Sequence, residues 1–470
     1  MDFDLLKPFL NFWRCGQPRR RAAGVRPDPF ASLIFAASAL LALSASVSFG
    51  QGGPGLQAVP ALGLRVASGF TVRMVANEVV APDVYCMTLD GQGTPIFSTR
   101  GSIQRLVDAN KDGIYESAQT IALVPSGAMG LLVDGSTLWV SAADGVFRLA
   151  LPPPGANPSP ARISGDPVVP LKFSEHGVHA IRKGPDGFIY ILAGNDAQAG
   201  GQHITTKSSP ANYVEAGALL RIKPDGTGVE VHAHGFRNPY DFDFNSHGEI
   251  FTYDSDCERD FHLPWYSATR VYHVEIGGHH GWRLEGYTRS WNRPDYYCDT
   301  TDVLSYLGRG SPTGVACYQH FQFPDRYFDG LFVLDWTFGQ VLFLPLEPTE
   351  SSYKGASEVF VEPIGANGFA PTDIVVTPDG GVLISAGGRR TRGGIYRVDY
   401  AGEKNRIVNA ANWRTHHPSD LARVLNAPQP FDSWSRAYWE PLAQALGASP
   451  FDEAAAENNP VQILDEHRIR

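Results

Sequence analysis

Six loose copies of one strand–turn–strand unit, abundant turn formers and many aromatic and β-branched residues predict an all-β chain, a six-bladed β-propeller with a short helical C-terminal extension. The 470 residues include 49 glycines, 35 prolines and 11% aromatics, which suits short strands and tight turns better than long helices. Each copy is an apolar strand, a turn with Gly and often Asp, and a second strand. The first three are Met87-Thr88-Leu89-Asp90-Gly91 to Ile96-Phe97-Ser98, Leu131-Leu132-Val133-Asp134-Gly135 to Leu138-Trp139-Val140, and Ala180-Ile181 with Asp186-Gly187 to Phe188-Ile189-Tyr190-Ile191. The last three are Asp241-Phe242-Asp243-Phe244 with His247-Gly248 to Ile250-Phe251-Thr252, Phe328-Asp329-Gly330 to Leu331-Phe332-Val333-Leu334, and Ile374-Val375-Val376 with Asp379-Gly380 to Val382-Leu383-Ile384. The turn glycines stand 44, 52, 61, 82 and 50 residues apart, the repeat length of a four-stranded blade. One blade cannot bury both faces alone; a ring of blades buries them and hides the sheet edges.

The remaining elements follow in order. Residues 1–50 read as an export signal with a long leader, or as an uncleaved N-terminal anchor. Arginines 19–21 and 26 precede the uncharged run 31–49, and Ser48 and Gly50 are small residues placed for cleavage. Residues 51–64 are expected to be a linker and 65–400 the propeller. Gly69-Phe70-Thr71-Val72-Arg73-Met74-Val75 is expected to supply a closing strand to the last blade. Gly217 to Ile222 and Gly394 to Val398 read as outer strands, and residues 254–320 as one large insertion rich in Tyr, Trp, His and Arg. Residues 401–470 lose strand character and read as short helices with disordered ends. The net charge of −10 argues against nucleic acid as the main partner. Cys86, Cys257, Cys298 and Cys317 have no CxxC or CxxCH spacing, which excludes a zinc ribbon and a c-type haem and leaves disulfides or buried thiols.

Four stretches can carry chemistry. His176 and His179 stand three apart at the start of an inner strand, where a near-neutral imidazole can take a proton from an alcohol or simply bond a loop. Arg237 and Asn238, before Pro239, can bind a carboxylate, polarise a carbonyl or form structural bonds. Asp254, Asp256 and Glu258, with Asp260, crowd four carboxylates into seven residues, which calcium or solvent would relieve. Asp108, Asn110 and Asp112, then Gly113 and Glu116, match the front of a calcium loop but equally suit a hairpin turn.

His176 followed by Gly184-Pro185-Asp186-Gly187, then Gly235-Phe236-Arg237-Asn238-Pro239, resembles the soluble quinoprotein glucose/sorbosone dehydrogenase family. Trp265-Tyr266, Gly277-Gly278-His279-His280-Gly281-Trp282-Arg283 and Gly387-Gly388-Arg389-Arg390-Thr391 are similar to the propeller of planctomycete-type membrane-bound dehydrogenases. The resemblance covers about residues 65–400. It implies a six-bladed propeller that binds pyrroloquinoline quinone (PQQ) and calcium over its channel mouth. His176 then falls on the general base, Arg237 on the arginine facing the quinone, Asn238 on a cofactor contact, and the acidic loop 254–258 on the calcium. Three positions depart from the family. Asn195 stands where a carboxylate orients the base, with Asp196 one residue later and His179 as a neighbouring histidine. Trp336 occupies the region of the cofactor lysine. Phe369 to Asp373 replace a pair of arginines, leaving Arg389 and Arg390 as substitutes. The implied activity is oxidation of a sugar, alcohol or aldehyde by an exported, periplasmic or secreted enzyme that passes electrons to an external acceptor. The competing readings are a non-catalytic glycan- or protein-binding propeller and a calcium-dependent lactonase.

Overall fold

The computed structural model describes residues 55–402, except 157–158, 164, 265, 283–298, 321, 350 and 366–367. The N-terminal signal or anchor and the C-terminal helical extension lie outside these residues. The predicted strands, most of them buried along their whole length between two neighbours, form six antiparallel sheets arranged as blades. Blade 1 is Met87–Leu89, Pro95–Thr99, Gly101–Val107 and Ser117–Val124, with Ala161–Arg162 added in parallel at its outer edge. Blade 2 is Ala128–Asp134, Thr137–Ala142, Gly145–Ala150 and Val169–Pro170. Blade 3 is Val178–Lys183, Ile189–Ala193, Gly217–Ile222 and Glu230–Phe236. Blade 4 is Phe242–Phe244, Ile250–Asp254, Thr269–His273 and Ser305–Gly308. Blade 5 is Pro312–Cys317, Leu331–Asp335, Gln340–Leu344 and Glu358–Pro363, and blade 6 is Pro371–Val376, Val382–Ala386 and Gly394–Tyr400.

The N-terminal segment closes the ring. Phe70–Ala76 pairs antiparallel with Gly394–Tyr400, as the sequence predicts, and completes blade 6. The expected linker behaves differently. Leu56–Val59 pairs with Leu64–Ala67, which pairs with Glu358–Pro363, so both widen blade 5. The buried Leu64, Val66 and Ala67 give this segment an apolar face to hide. Residues 254–320 are not one insertion either. They hold the last two strands of blade 4 and the first of blade 5.

Each gap between neighbouring blades has its own apolar layer, because alternate residues of a strand face opposite neighbours. Ile189 and Ile191 pack toward blade 2, whereas Tyr190 and Leu192 pack toward blade 4. The layer between blades 5 and 6 is the most aromatic. There Phe70 meets Phe323, Phe360 and Tyr327 edge-on at 4.7, 4.9 and 5.2 Å, which fastens the closing strand to blade 5.

Polar bonds join the inner strands around the channel. Ser98 Oγ accepts from Ala128 N (2.8 Å), Ser141 Oγ donates to His179 O (2.6 Å), and Arg182 meets Asp241 (2.7 Å). Asp241 accepts from Val315 N (3.0 Å), Thr313 Oγ1 donates to Pro371 O (2.8 Å), and Asp373 accepts from Met87 N (2.6 Å). Every blade junction is thereby bonded once near the axis. The approach is close enough that a Cβ on Gly130 would meet the His179 carbonyl at 2.2 Å. Cys86, Cys257 and Cys317 are buried free thiols, and Cys298 lies outside the described residues.

Candidate functional site

Strand direction decides which loops share a face. The segment before each first strand and the turn after each second strand end at the same mouth of the channel. His176, Arg237 and Asn238 belong to the first kind of segment. Asp254 to Asp260, Trp336 and Arg389 belong to the second. All therefore gather at one mouth, although they come from four blades.

His176 is partly buried just ahead of Val178–Lys183. Its Nδ1 lies 2.7 Å from Asn195 Oδ1. An amide oxygen can only accept, so Nδ1 carries the proton and Nε2 keeps a free lone pair. Asn195 also donates its backbone N–H to Arg237 O at 2.7 Å, tying the histidine to the arginine. Gly194 makes this junction possible, because a Cβ there would meet His176 O at 2.6 Å and Asn238 Oδ1 at 2.8 Å. Burial holds the His176 imidazole below its ordinary pKa, and the nearby Arg237 charge pushes the same way; the Asn195 bond opposes both.

Two sequence-predicted partners of His176 are placed elsewhere. Asp196 is exposed and bonds His176 only through its backbone N–H (2.9 Å), so Asn195 is the group that orients the ring. His179 is 1% exposed, with Nδ1 2.8 Å from Pro239 O, and burial lowers its pKa to about 4. Residues on a strand alternate between faces, and the position of His179 turns it into the ring of inner strands.

Arg237 sends Nη1 to Ser255 Oγ (2.7 Å) and Nη2 to Glu258 Oε2 (2.7 Å), and stacks 5.5 Å from the Trp282 ring. The segment carrying Trp282 is docked by Trp282 N on Gly235 O (2.8 Å). The acidic loop is organised as a turn. Asp254 accepts from the backbone N–H groups of Arg237 (2.8 Å), Asn238 (2.7 Å) and Ser255 (2.7 Å). Asp256 takes the Tyr266 hydroxyl at 2.5 Å, and burial raises its pKa. Both oxygens of Asp254 are thus spent on the chain, and Glu258 on Arg237. Among the described residues, the group of carboxylates close enough to hold a cation is instead Asp108, Asp112 and Glu116. That group lies in the turn after the third strand of blade 1, on the opposite face, with Asn110 Oδ1 accepting from Asp112 N at 2.9 Å.

On blade 6, Gly387 and Gly388 lead into Arg389 and Arg390, both left-handed with φ of 52° and 65°. Non-glycine residues pay strain there, and the loop is held by Trp336 Nε1 on Gly387 O (2.7 Å) and by Arg390 N on Asp83 Oδ1 (3.0 Å). The Arg389 guanidinium lies 5.6 Å from the Trp336 ring and pairs with Glu175, the residue before His176. Blades 3 and 6 face each other in a six-membered ring, so this ion pair crosses the mouth. Beneath it, Tyr240 donates to Tyr85 O at 2.7 Å and closes off the channel. Glu175, Gly194 and Tyr240 are given no role by the motifs, and Trp282 enters only as part of the Gly277 to Arg283 run. The isolated Gly194 at a strand end is the one local signal of close packing.

No family model matches the sequence, and no curated protein matches it. Solved structures do. An oxidoreductase described as a glucose dehydrogenase from Thermus thermophilus matches at 18% identity and TM-score 0.52, over 70% of this chain and 100% of its own. The PQQ-bound aldose sugar dehydrogenase of Streptomyces coelicolor matches at 17% and 0.51, over 71% and 99%. The PQQ domain of pyranose dehydrogenase from Coprinopsis cinerea matches at 15% and 0.52, over 74% and 98%. What this chain shares with them is the six-bladed propeller.

Proposed function

We propose that this chain is an exported quinoprotein-type dehydrogenase that oxidises a sugar or related alcohol, with His176 Nε2 taking the hydroxyl proton. The carrying observation is the His176–Asn195 pair beside Arg237 at the channel mouth. Three of the fold's neighbours are named as sugar dehydrogenases, two of them in PQQ-containing forms, which supports the reading.

The residues suit a carboxylate-bearing cofactor in one specific way. Arg237 and Arg389 are paired with Glu258 and Glu175, whose side chains are 56% and 66% exposed. The Arg389–Glu175 pair is exposed on both sides and contributes only about 0–1 kcal/mol, so an anionic ligand can displace it cheaply, whereas the largely buried Arg237 keeps its Ser255 bond and can exchange only the exposed Glu258. Asn238 Oδ1 is buried without a protein partner and can receive a donor. Arg237, Asn238, Arg389 and Trp336 would hold PQQ, whose quinone accepts a hydride when bound. Asp256 Oδ1 is buried without a protein partner, but among the described residues the carboxylates of the 254–258 loop do not converge closely enough to hold a cation, and no step is assigned to calcium there. His176 orients and deprotonates the hydroxyl, Arg237 supplies positive charge beside it, and Tyr240 seals the site from the channel below.

Dye-linked oxidation of aldoses after reconstitution with PQQ is the test. Saturable PQQ binding and turnover are expected. Absence of binding at high micromolar PQQ would sink the reading. A second reading, a non-catalytic glycan-binding mouth, rests on Asn195 standing where a carboxylate would stabilise an imidazolium. It predicts polysaccharide binding that survives His176→Ala.

A further inference from the structure

The channel opens on the other face into a cavity of about 220 Å³ lined by all six blades. It is formed where the first strands end and the turns begin, at the opposite end of those strands from His176. We propose that this vestibule is a binding site for a small organic cation, a primary ammonium on a short, partly apolar body.

Shape and wall chemistry come first. Leu89, Leu132, Val133, Ile374, Val376 and Pro378 form apolar walls, while Thr88, Asp90, Asp134, Asp243 and Gln319 add polar positions. The volume exceeds that of several waters at roughly 30 Å³ each. Every wall is a strand end or tight turn bonded to its neighbours, so the cavity is built into the scaffold.

The charges choose the ligand. Asp90, Asp134 and Asp243 line the cavity, and Asp241 and Asp373 lie just behind it around a smaller void of about 10 Å³. The cations are Arg105 against Asp90 (3.2 Å), Arg182 against Asp241 (2.7 Å) and Lys183 against Asp134 (2.8 Å). Five carboxylates therefore surround three cations. His320 on the wall does not make up the difference, since burial lowers its pKa to about 4. Burial raises Asp243 to about 6 and Asp373 to about 8, and Asp241 also lies above the usual carboxylate range, so Asp373 carries a proton at neutral pH and the other four carboxylates exceed the three cations by one.

The hydrogen bonds agree. Gln319 is 8% exposed; its amide nitrogen is given to the Phe244 carbonyl, and its Oε1 is buried without a protein partner. Asp241, 2% exposed, likewise has Oδ1 unpartnered. Buried acceptors without donors are costly. The missing complement is thus a donor that is also positive. An anion would meet the Asp90, Asp134 and Asp243 carboxylates on the wall, and a neutral polyol would satisfy the acceptors but leave the charge in excess.

Calorimetric titration of the full chain with 3-amino-1-propanol, 1,3-propanediol and 3-hydroxypropanoate tests the assignment. The amine is expected to bind at least roughly tenfold tighter than the diol, and the acid not to compete. Gln319→Met and Asp243→Asn should each weaken the amine by roughly tenfold. Gly91→Phe guards against variants that fail to fold. A Cβ at Gly91, on the cavity rim, meets nothing within 4 Å, so the ring should block the vestibule without disturbing the core and abolish amine binding at unchanged thermal stability. Equal binding of amine and diol, amine binding that survives Gly91→Phe, or no saturation by roughly 10 mM amine would each overturn the proposal.

Discussion

The two mouths of the channel are built from opposite materials. The His176 mouth is made of loops and of ion pairs with exposed carboxylates, with Arg389 reaching Glu175 and Arg237 reaching Glu258. The other mouth is made of strand ends, and its charged groups are largely buried and bonded to the inner strands. One face can rearrange around a large ligand at small cost, while the other is held in shape by the ring. The contrast suits the first mouth to the proposed chemistry and the second to rigidity.

The comparison is broken most severely through Arg182, which stands between the mouths. Arg182→Met leaves Asp241, Asp243 and Asp373 without their shared cation and should cost about 3–5 kcal/mol in urea denaturation. A loss below about 1 kcal/mol would mean that the carboxylates are protonated or hydrated in the fold.

At the loop-built mouth the effect should fall on rate. His176→Ala is expected to lower turnover by roughly 10²–10⁴-fold with folding and PQQ affinity retained. Turnover that is unchanged in steady-state assays removes His176 from the chemistry.

Asn195→Asp sharpens the same point through pH. In the proposed reaction the base is the neutral imidazole, so activity should rise as pH passes its pKa, which lies below the ordinary histidine value here. A carboxylate 2.7 Å from Nδ1 would stabilise the imidazolium and raise that pKa. The acid limb of kcat/KM should move to higher pH, leaving the variant slower in mild acid and recovered in alkali. A limb that stays in place assigns it to another group.

The smallest effect belongs to the pair that crosses the mouth. Glu175→Gln frees Arg389 but should change stability by less than about 1 kcal/mol, because both side chains are more than half exposed. It should tighten binding of PQQ, since Arg389 no longer has to leave a partner; weaker binding would show that Glu175 itself holds the ligand.

Blade number, the turn after each first strand and the closing strand from Phe70 are legible in the sequence, because they follow from short apolar, β-branched and aromatic runs and turn chemistry acting over a few residues. His176 is legible by counting back from the Gly184-Pro185-Asp186 turn. The burial of His179 is not, because its partner Pro239 lies 60 residues away, on the next blade. The bonding of the acidic loop is not legible either, because charge counts do not show that Asp254 caps the chain turn at Arg237 and Asn238.

The sequence alone thus determined the blades and the histidine that heads the third one. The tertiary structure decided that Asn195 rather than Asp196 holds that histidine, that Arg389 crosses to Glu175, and that a charged vestibule lies at the far end. Its walls run from Thr88 to Pro378, one or two short segments from each blade, and none of them is a motif. Local chemistry writes each strand and turn, but only closing the ring brings six distant strand ends around one cavity.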